Sequence, residues 1–205
     1  MPQPKRGRPR AFDRDRALLD AARLFWRRGY SGTSTRDLTA LLGLSTSSLY
    51  GTFGSKAGLF EEAVRTYAER YREIYQQALA APEFRVAVER VLVDSVHEFT
   101  RPDDEHPGCL LSSAAMADST GTLDTSAYFA ELQDSNERAL HARVERAVQE
   151  GELPADTDAE ALTGLIQSLW HGLSARANLG TDRAGLLATA RLAHELICGR
   201  RGPAA

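Results

Sequence analysis

The chain has few of the features that cross-link a protein or anchor it in a membrane. Its 205 residues contain two cysteines, Cys109 and Cys198, which are too few and too far apart to form a disulfide framework. No apolar run approaches the ~18 residues of a membrane span, and no apolar signal-peptide segment follows the basic N-terminus. We therefore expect a soluble protein of the reducing cytoplasm.

Motifs of catalysis and metal binding are also missing. The sequence has no nucleophile elbow, no phosphate-binding P-loop and no dinucleotide glycine fingerprint. The close histidine–cysteine pairs are His106 with Cys109 and His194 with Cys198, and neither has a second pair nearby that would complete a zinc site. We expect no enzyme activity, no cofactor and no metal.

Basic and acidic residues are unevenly distributed along the chain. The first 60 residues hold 11 Lys and Arg against 4 Asp and Glu, a balance of +7, whereas the remainder holds 14 against 24, a balance of −10. The net charge of −3 therefore conceals a basic N-terminal part attached to an acidic remainder. This asymmetry predicts that the N-terminal part faces nucleic acid.

Nearly every segment has the apolar spacing of a helix, and no segment alternates as a strand does. The breaks between segments fall at clusters of glycine, proline and aspartate. The sequence therefore predicts an all-α fold of about nine helices, at approximately 13–29, 34–43, 45–53, 56–80, 82–99, 108–117, 126–150, 159–179 and 182–198.

Two short helices joined by a tight turn are predicted between residues 34 and 53. Ser34 followed by Asp37 is a capping-box pattern, Gly43 supplies the left-handed residue that ends the first helix, and Ser45 caps the second. The apolar face of the first helix is expected at Leu38, Leu41 and Leu42. This geometry lays a second helix into the major groove of DNA.

The outward residues of the second helix are all short. They are Thr46, Ser47, Ser48, Gly51 and Thr52, while Leu49 and Phe53 face inward. A solvated helix face usually carries Lys and Glu, so a face of short hydroxyl side chains is better explained by close approach to base edges.

The first three helices and the start of the fourth resemble the TetR/AcrR family of bacterial transcriptional regulators. The matching residues are Ala21, Ala22, Phe25, Gly29, Tyr30, Thr33 to Leu38, Gly43 to Ser45, Leu49, Tyr50, Phe53, Lys56, Leu59 and Phe60. Where family members commonly carry a bulky aromatic residue or His between Tyr50 and Phe53, this chain has Gly51 and Thr52. The segment 151–158 also resembles the connector before the family's last two helices.

The resemblance implies an organisation for the whole chain. It implies a basic arm at 1–12, a helix-turn-helix DNA-binding domain at 13–55, a ligand-binding and dimerisation domain at 56–198 and a tail at 199–205. The last two helices would pair across a two-fold axis as a four-helix bundle, which fits their richness in Leu and Ala.

Base readout is expected from Arg36, Thr46, Ser47 and Ser48, with Thr52 on the same DNA-facing surface. An arginine bonds guanine O6 and N7 together, which contributes roughly 1–3 kcal/mol of discrimination, whereas single hydroxyls discriminate bases poorly. The alternative for Arg36 is a solvated charge on a helix.

Phosphate contacts are expected from Thr35, Tyr50 and Lys56, which would fix register without reading sequence. The alternative for Tyr50 is a core aromatic between the third and fourth helices. Lys56 lies in the first turn of the fourth helix, where free backbone N–H groups also favour an anion.

The N-terminal arm resembles the core of an AT-hook from Lys5 to Arg10. Pro9 keeps the chain extended, Gly7 permits close approach, and arginines favour the potential of a narrow minor groove. Two interpretations remain open for Arg6, Arg8 and Arg10: minor-groove contact, or a disordered basic arm that adds only salt-sensitive affinity.

A small-molecule pocket is expected among aromatic and apolar residues of the body, although each of them is also a candidate for plain core. The candidates are Tyr67, Tyr71, Phe99, Leu110, Met116, Phe129, Trp170 and His171. Cys109 precedes an apolar helix, and a helix N-terminus lowers a thiol pKa, so it is either a sensor thiol or a small buried residue.

Together with the resemblance, these observations predict a homodimeric repressor that binds a palindromic operator and is released by a small-molecule effector, which would be thiol-reactive if Cys109 is a sensor. Its partners would be double-stranded DNA, the effector and a second copy of the chain, with no membrane. The alternative is an architectural or activating DNA-binding protein without a small-molecule ligand. An enzyme on a helical body is disfavoured because no acid/base pair or nucleophile arrangement is evident.

Overall fold

The chain folds into eight helices across the parts that the computed structural model describes, residues 12–100 and 123–199, and no strand occurs there. The all-α prediction is confirmed. The predicted helix at 108–117 lies outside the described residues, and the other eight predicted helices are present. The bounds are α1 Arg14–Gly32, α2 Thr35–Leu42, α3 Thr46–Phe53, α4 Lys56–Leu79, α5 in the three consecutive segments Phe84–Glu89, Arg90–Asp94 and Ser95–Phe99, α6 Thr125–Gln149, α7 Ala159–Asn178 and α8 Arg183–Cys198.

Seven of these helices begin at a Ser or Asp whose side chain accepts a hydrogen bond from a backbone N–H of the first turn. The capping residues are Asp13, Ser34, Ser45, Ser55, Asp124, Asp158 and Asp182. Such a cap satisfies one of the donors that a helix leaves without an internal partner. The predicted starts of these helices therefore agree with the structure to within about a residue.

The fifth helix is the exception, and the predicted start at Pro82 was wrong by two residues. Glu83 precedes the helix but makes no side-chain cap. Instead, the Phe84 N–H donates to the carboxylate of Glu152, a residue far along the chain. The middle segment of α5, Arg90–Asp94, is a π-helical turn.

We refer to α1, α2 and α3 as the head and to α4 through α8 as the body. The head packs on the first half of α4, where Phe25 and Phe60 meet edge to face with ring centroids 4.9 Å apart. Leu38 and Leu49 are completely buried in the same core. Leu41 was expected on the inward face of α2, but it is 42% exposed, because an eight-residue helix lying on α1 and α3 buries only a narrow stripe. None of the described helices is long and apolar enough to cross a membrane.

An ion pair between a buried arginine and a partly exposed glutamate joins α5, α6 and the connector that follows α6. The Arg143 side chain is 2% exposed, and its Nη2 donates to Glu152 Oε1 at 2.9 Å and to the Pro82 carbonyl at 3.2 Å. Burial alone would raise the pKa of Glu152, but the hydrogen bonds from the Phe84 N–H and from Arg143 outweigh it and lower the pKa. The carboxylate therefore stays charged at neutral pH and caps α5.

We expect Glu152→Ala to lower the free energy of unfolding by about 3 kcal/mol, because it leaves a buried guanidinium without its carboxylate. Urea denaturation measures the change. The matched control is Glu150→Ala, which removes an exposed carboxylate just beyond the end of α6 and should change the value by less than about 0.5 kcal/mol. Equal effects of the two substitutions would contradict the role given to Glu152.

Two glycines of the head should respond to alanine in opposite directions. Gly51 lies within α3, and a β-carbon there would have open space around it, so Gly51→Ala should raise the free energy of unfolding by roughly 0.5–1 kcal/mol. Gly43 has a φ of +64°, so Gly43→Ala should lower it by about 1–2 kcal/mol. The midpoint temperatures of thermal unfolding of the two variants should shift in opposite directions relative to the parent. Shifts in the same direction would contradict the left-handed conformation of Gly43 or the open space at Gly51.

Candidate nucleic-acid interface

The first helix of the helix-turn-helix is held at its N-terminus by reciprocal hydrogen bonds. The Ser34 hydroxyl accepts the Asp37 N–H at 3.2 Å, and the Asp37 carboxylate accepts the Ser34 N–H at 2.9 Å. The hydrogen bonds from the Ser34 hydroxyl and N–H are the main cause that lowers the pKa of Asp37. Arg28, whose Nη1 lies 3.0 Å from Asp37 Oδ1, lowers it to a lesser extent. The capping box predicted from the sequence is therefore confirmed, and it joins the end of α1 to the start of α2.

A left-handed glycine redirects the chain between the two short helices. Gly43 adopts φ 64° and ψ 28°, and the Leu44 N–H donates back to the Thr39 carbonyl at 3.1 Å. Ser45 then caps α3 by accepting the Ser48 N–H at 3.1 Å. These local bonds set the angle at which α3 leaves α2.

The outer face of α3 is exposed and carries only short side chains, as the sequence predicts. The exposed residues are Thr46, Ser47, Ser48, Gly51 and Thr52, whereas Leu49 and Phe53 are buried. The Ser45 hydroxyl lies 2.9 Å from that of Ser47 and 2.8 Å from that of Ser48. The Thr52 hydroxyl donates to the Ser48 carbonyl at 2.9 Å. No long side chain projects from this face, and hydroxyl oxygens line it.

Tyr50 stands on the surface, so its alternative as a core aromatic was wrong. The residue is 42% exposed, and its hydroxyl lies 3.3 Å from the Thr35 hydroxyl on α2. Arg36, the next residue of α2, is exposed. The structure therefore brings Thr35 and Tyr50 together as one pair of hydroxyls beside the outer face of α3.

Lys56 begins α4 at the edge of this surface. Its side chain is half-buried, and its Nζ lies 4.2 Å from the centroid of the Tyr30 ring. Phe12, the first described residue, packs edge to face against Phe53 with ring centroids 6.4 Å apart. The described chain therefore starts beside α3, whereas Arg6, Arg8 and Arg10 lie outside the described residues.

The body contains a continuous cluster of aromatic rings. Consecutive ring centroids are 4.6 Å apart for Tyr67 and Tyr71, 6.3 Å for Tyr71 and Phe99, 5.6 Å for Phe99 and Trp170, and 5.0 Å for Trp170 and His171. The structure therefore brings five of the proposed ligand-binding residues together. Phe129 is also buried, on α6, while Cys109, Leu110 and Met116 lie outside the described residues.

This aromatic cluster is closely packed and is held by polar contacts within the core. The Trp170 indole N–H donates to the Ser95 hydroxyl at 2.9 Å. A cavity of only about 20 Å³ lies beside Tyr67 and Tyr71. Burial lowers the pKa of His171 below 6.5, and Glu137 partly opposes this shift, so the imidazole is neutral at pH 7. The described rings thus pack against one another, with a half-buried, neutral histidine at the end of the series.

Tyr75 belongs to the same cluster, although sequence reasoning missed it. Its ring lies 6.2 Å from that of Trp170, and its hydroxyl donates to Gln167 Oε1 at 3.0 Å. Burial is the main reason that the pKa of Tyr75 is raised. The signal was present, because Tyr75 continues the four-residue spacing of Tyr67 and Tyr71 along α4.

A larger surface cavity, of about 570 Å³, lies between the start of α5 and the end of α8, away from the aromatic cluster. Arg85 donates to the Cys198 carbonyl there at 3.1 Å, and burial raises the pKa of the Cys198 thiol to about 11. The thiol is therefore protonated at neutral pH. Among the described residues, no group of three His, Cys, Asp or Glu could hold a metal ion.

Comparison with known proteins matches both parts of the chain to one family. Residues 18–63 match the description of bacterial regulatory proteins of the tetR family. Residues 87–193 match the tetracyclin repressor-like C-terminal domain. The first match covers the helix-turn-helix, and the second covers most of the body.

Individual relatives agree with this assignment. The HTH-type transcriptional repressor ComR of Escherichia coli is 30% identical over 199 residues, which cover 94% of each chain. The HTH-type transcriptional repressor BdcR of the same organism is 29% identical over 193 residues, covering 93% of this chain and 92% of BdcR. Among solved structures, a cysteine-substituted form of the TetR family regulator CifR in complex with 26-base-pair double-strand operator DNA is 38% identical. It aligns with 92% of this chain and 98% of its own at a TM-score of 0.74. The chain therefore belongs to the TetR family of bacterial transcriptional regulators.

Proposed function

We propose that the protein is a repressor that binds a palindromic operator as a homodimer, through α3 of each protomer, and that a small molecule bound in the body releases it. The observation that carries the DNA-binding part is the exposed, low face of hydroxyl side chains on α3. CifR, a relative of similar length, has been solved with operator DNA, and ComR and BdcR are named as repressors.

Some side chains around α3 position the protein on the DNA backbone, and others contact the bases. Thr35, Tyr50 and Lys56 lie at the margin of the face and contact phosphates, which positions the head on the duplex. Arg36 supplies the bidentate contact to guanine. The residues that approach base edges are Thr46, Ser47, Ser48 and Thr52, and Arg6, Arg8 and Arg10 of the arm add contacts to the minor groove or to phosphates.

The second copy of the chain covers the outer faces of α7 and α8. Leu165 on α7 is 50% exposed, and Leu192 and Leu196 on α8 are 53% and 77% exposed. Leu179, just after α7, is 86% exposed. Two adjacent helices that leave leucines uncovered are typical of an oligomer interface. A two-fold pairing of these helices would place two reading heads on one operator.

The effector binds within the aromatic cluster and displaces α4. Tyr67 and Tyr71 of α4 belong to the cluster, and Tyr67 also lies 6.3 Å from Trp26 of α1. The rings of Tyr71 and Phe99 are in contact, so a ligand that enters between them would push α4 away from α5 and move the head with it. A thiol-reactive effector would act on Cys109.

Two substitutions distinguish readout from positioning. Arg36→Ala should relax base preference at one position of each half-site, since it removes the guanine contact. Lys56→Ala should weaken binding to all sequences about equally and lower the slope of log affinity against log salt by about one per monomer. Sites selected from a random duplex library, followed by titration at several salt concentrations, measure both effects. The reverse pattern would overturn the roles assigned here.

The dimer interface can be tested at a leucine on each helix. Leu165→Glu or Leu196→Glu should weaken dimerisation by roughly 100-fold, because a carboxylate would be buried without a partner. Analytical ultracentrifugation measures the change. Leu41→Glu is the matched control, since Leu41 is similarly exposed on the head and should leave the dimer intact. A dimer unaffected by both body substitutions would place the interface elsewhere.

A further inference from the structure

We infer that Tyr30 is a positioning residue for DNA binding, which holds the Lys56 ammonium group ready for a backbone phosphate. The inference rests on the proposed function, in which Lys56 contacts phosphate. It adds a residue at the end of α1 to a surface otherwise built from α2, α3 and the start of α4.

The contact between the two side chains is a cation–π interaction. Lys56 Nζ lies 4.2 Å from the centroid of the Tyr30 ring, well within the ~6 Å over which the negative face of an aromatic ring attracts an ammonium ion. An ammonium group has three N–H donors. The ring covers one side of the group, so donors on the opposite side remain available to a phosphate oxygen.

The Tyr30 ring is itself fixed by the core of the head. Its centroid lies 5.1 Å from that of Phe60 and 6.2 Å from that of Phe25, and both of these residues are almost completely buried. Gly29, with φ +69°, breaks α1 immediately before Tyr30, and the Tyr30 carbonyl accepts the Thr33 N–H at 3.3 Å. The ring therefore offers a rigid surface to a flexible side chain.

A fixed ring beside a flexible lysine lowers the entropic cost of binding. The four-carbon stem of Lys loses rotamer freedom when it engages a phosphate. If the ring keeps the ammonium group in place both before and after DNA arrives, part of that loss has already occurred on folding. Removing the ring should then weaken DNA binding by about twofold to fivefold, because the ordering that an exposed cation–π contact imposes on the side chain is limited by the strength of that contact.

The opposite sign is expected if the ring withholds Lys56 from DNA. In that case the ammonium group must leave Tyr30 to reach a phosphate, and removing the ring would strengthen binding. The sign of the change in affinity therefore distinguishes a positioning role from a competing one.

The test is a double-mutant cycle on a mixed-sequence duplex of about 30 base pairs, which spans roughly three helical turns. Tyr30→Leu should weaken binding about twofold to fivefold, and Tyr30→Phe, which keeps the ring, should bind as the parent does. In a Lys56→Ala background, Tyr30→Leu should have no further effect. An equal loss in both backgrounds would show a general disturbance of the head and would overturn the inference, as would tighter binding by Tyr30→Leu.

A spectroscopic measurement on the unaltered protein gives an independent test that does not depend on variant stability. The ε-methylene protons of Lys56 should resonate upfield because of the Tyr30 ring current, both in the free protein and when the duplex is bound. Loss of the upfield shift on binding would overturn the inference.

The variants distinguish failure of this inference from failure of the proposed function. If Lys56→Ala changes neither the affinity for DNA nor its salt slope, the proposed phosphate contact fails as well. If Lys56→Ala weakens binding but Tyr30→Leu does not, only the positioning role fails.

Discussion

The aromatic packing of α1 against α4 is the contact on which the rest of the structure depends. The ring centroids of Phe25 and Tyr30 of α1 lie 4.9 and 5.1 Å from that of Phe60 of α4. Two helical turns further along α4, the ring of Tyr67 contacts that of Trp26. With 24 residues, α4 is ~36 Å long, so it carries the head at one end and forms a wall of the body at the other. Because close-packed cores do not deform continuously, a displacement of α4 within the body would be transmitted to the head as a whole.

The hydrogen bonds of the α3 side chains limit which bases its exposed face could recognise under the proposed function. The Thr52 hydroxyl already donates its proton to the Ser48 carbonyl, so its remaining capacity is that of an acceptor. In the major groove, the complementary donors are the amino groups of adenine and cytosine. The hydroxyls of Ser47 and Ser48 both lie within hydrogen-bond distance of the Ser45 hydroxyl. The short side chains of this face are therefore partly ordered before any base approaches.

The fold and the exposed hydroxyl face of α3 could be predicted because they depend on local signals, whereas contacts between distant residues could not be predicted. The capping box at Ser34 and the left-handed Gly43 need only their own neighbours in sequence, and both are confirmed. The start of α5 was misplaced because its cap is Glu152, 68 residues away. The exposure of Leu41 depends on how α2 lies on its neighbours, which periodicity alone does not specify. The link between Lys56 and Tyr30 escaped prediction for the same reason, since a ring contact across two helices leaves no spacing pattern in the sequence.

The π-helical turn of α5 has a consequence for the interior of the body. Such a turn accommodates one more residue than regular α geometry, and each residue rotates the following side chains by about 100° around the helix axis. Ser95 follows the turn directly and Phe99 lies one helical turn later, and both contact Trp170. A regular helix through the same stretch would point the serine elsewhere and leave the indole N–H without its acceptor. The π-helical turn thus places the Ser95 hydroxyl where it can accept the hydrogen bond of the Trp170 indole.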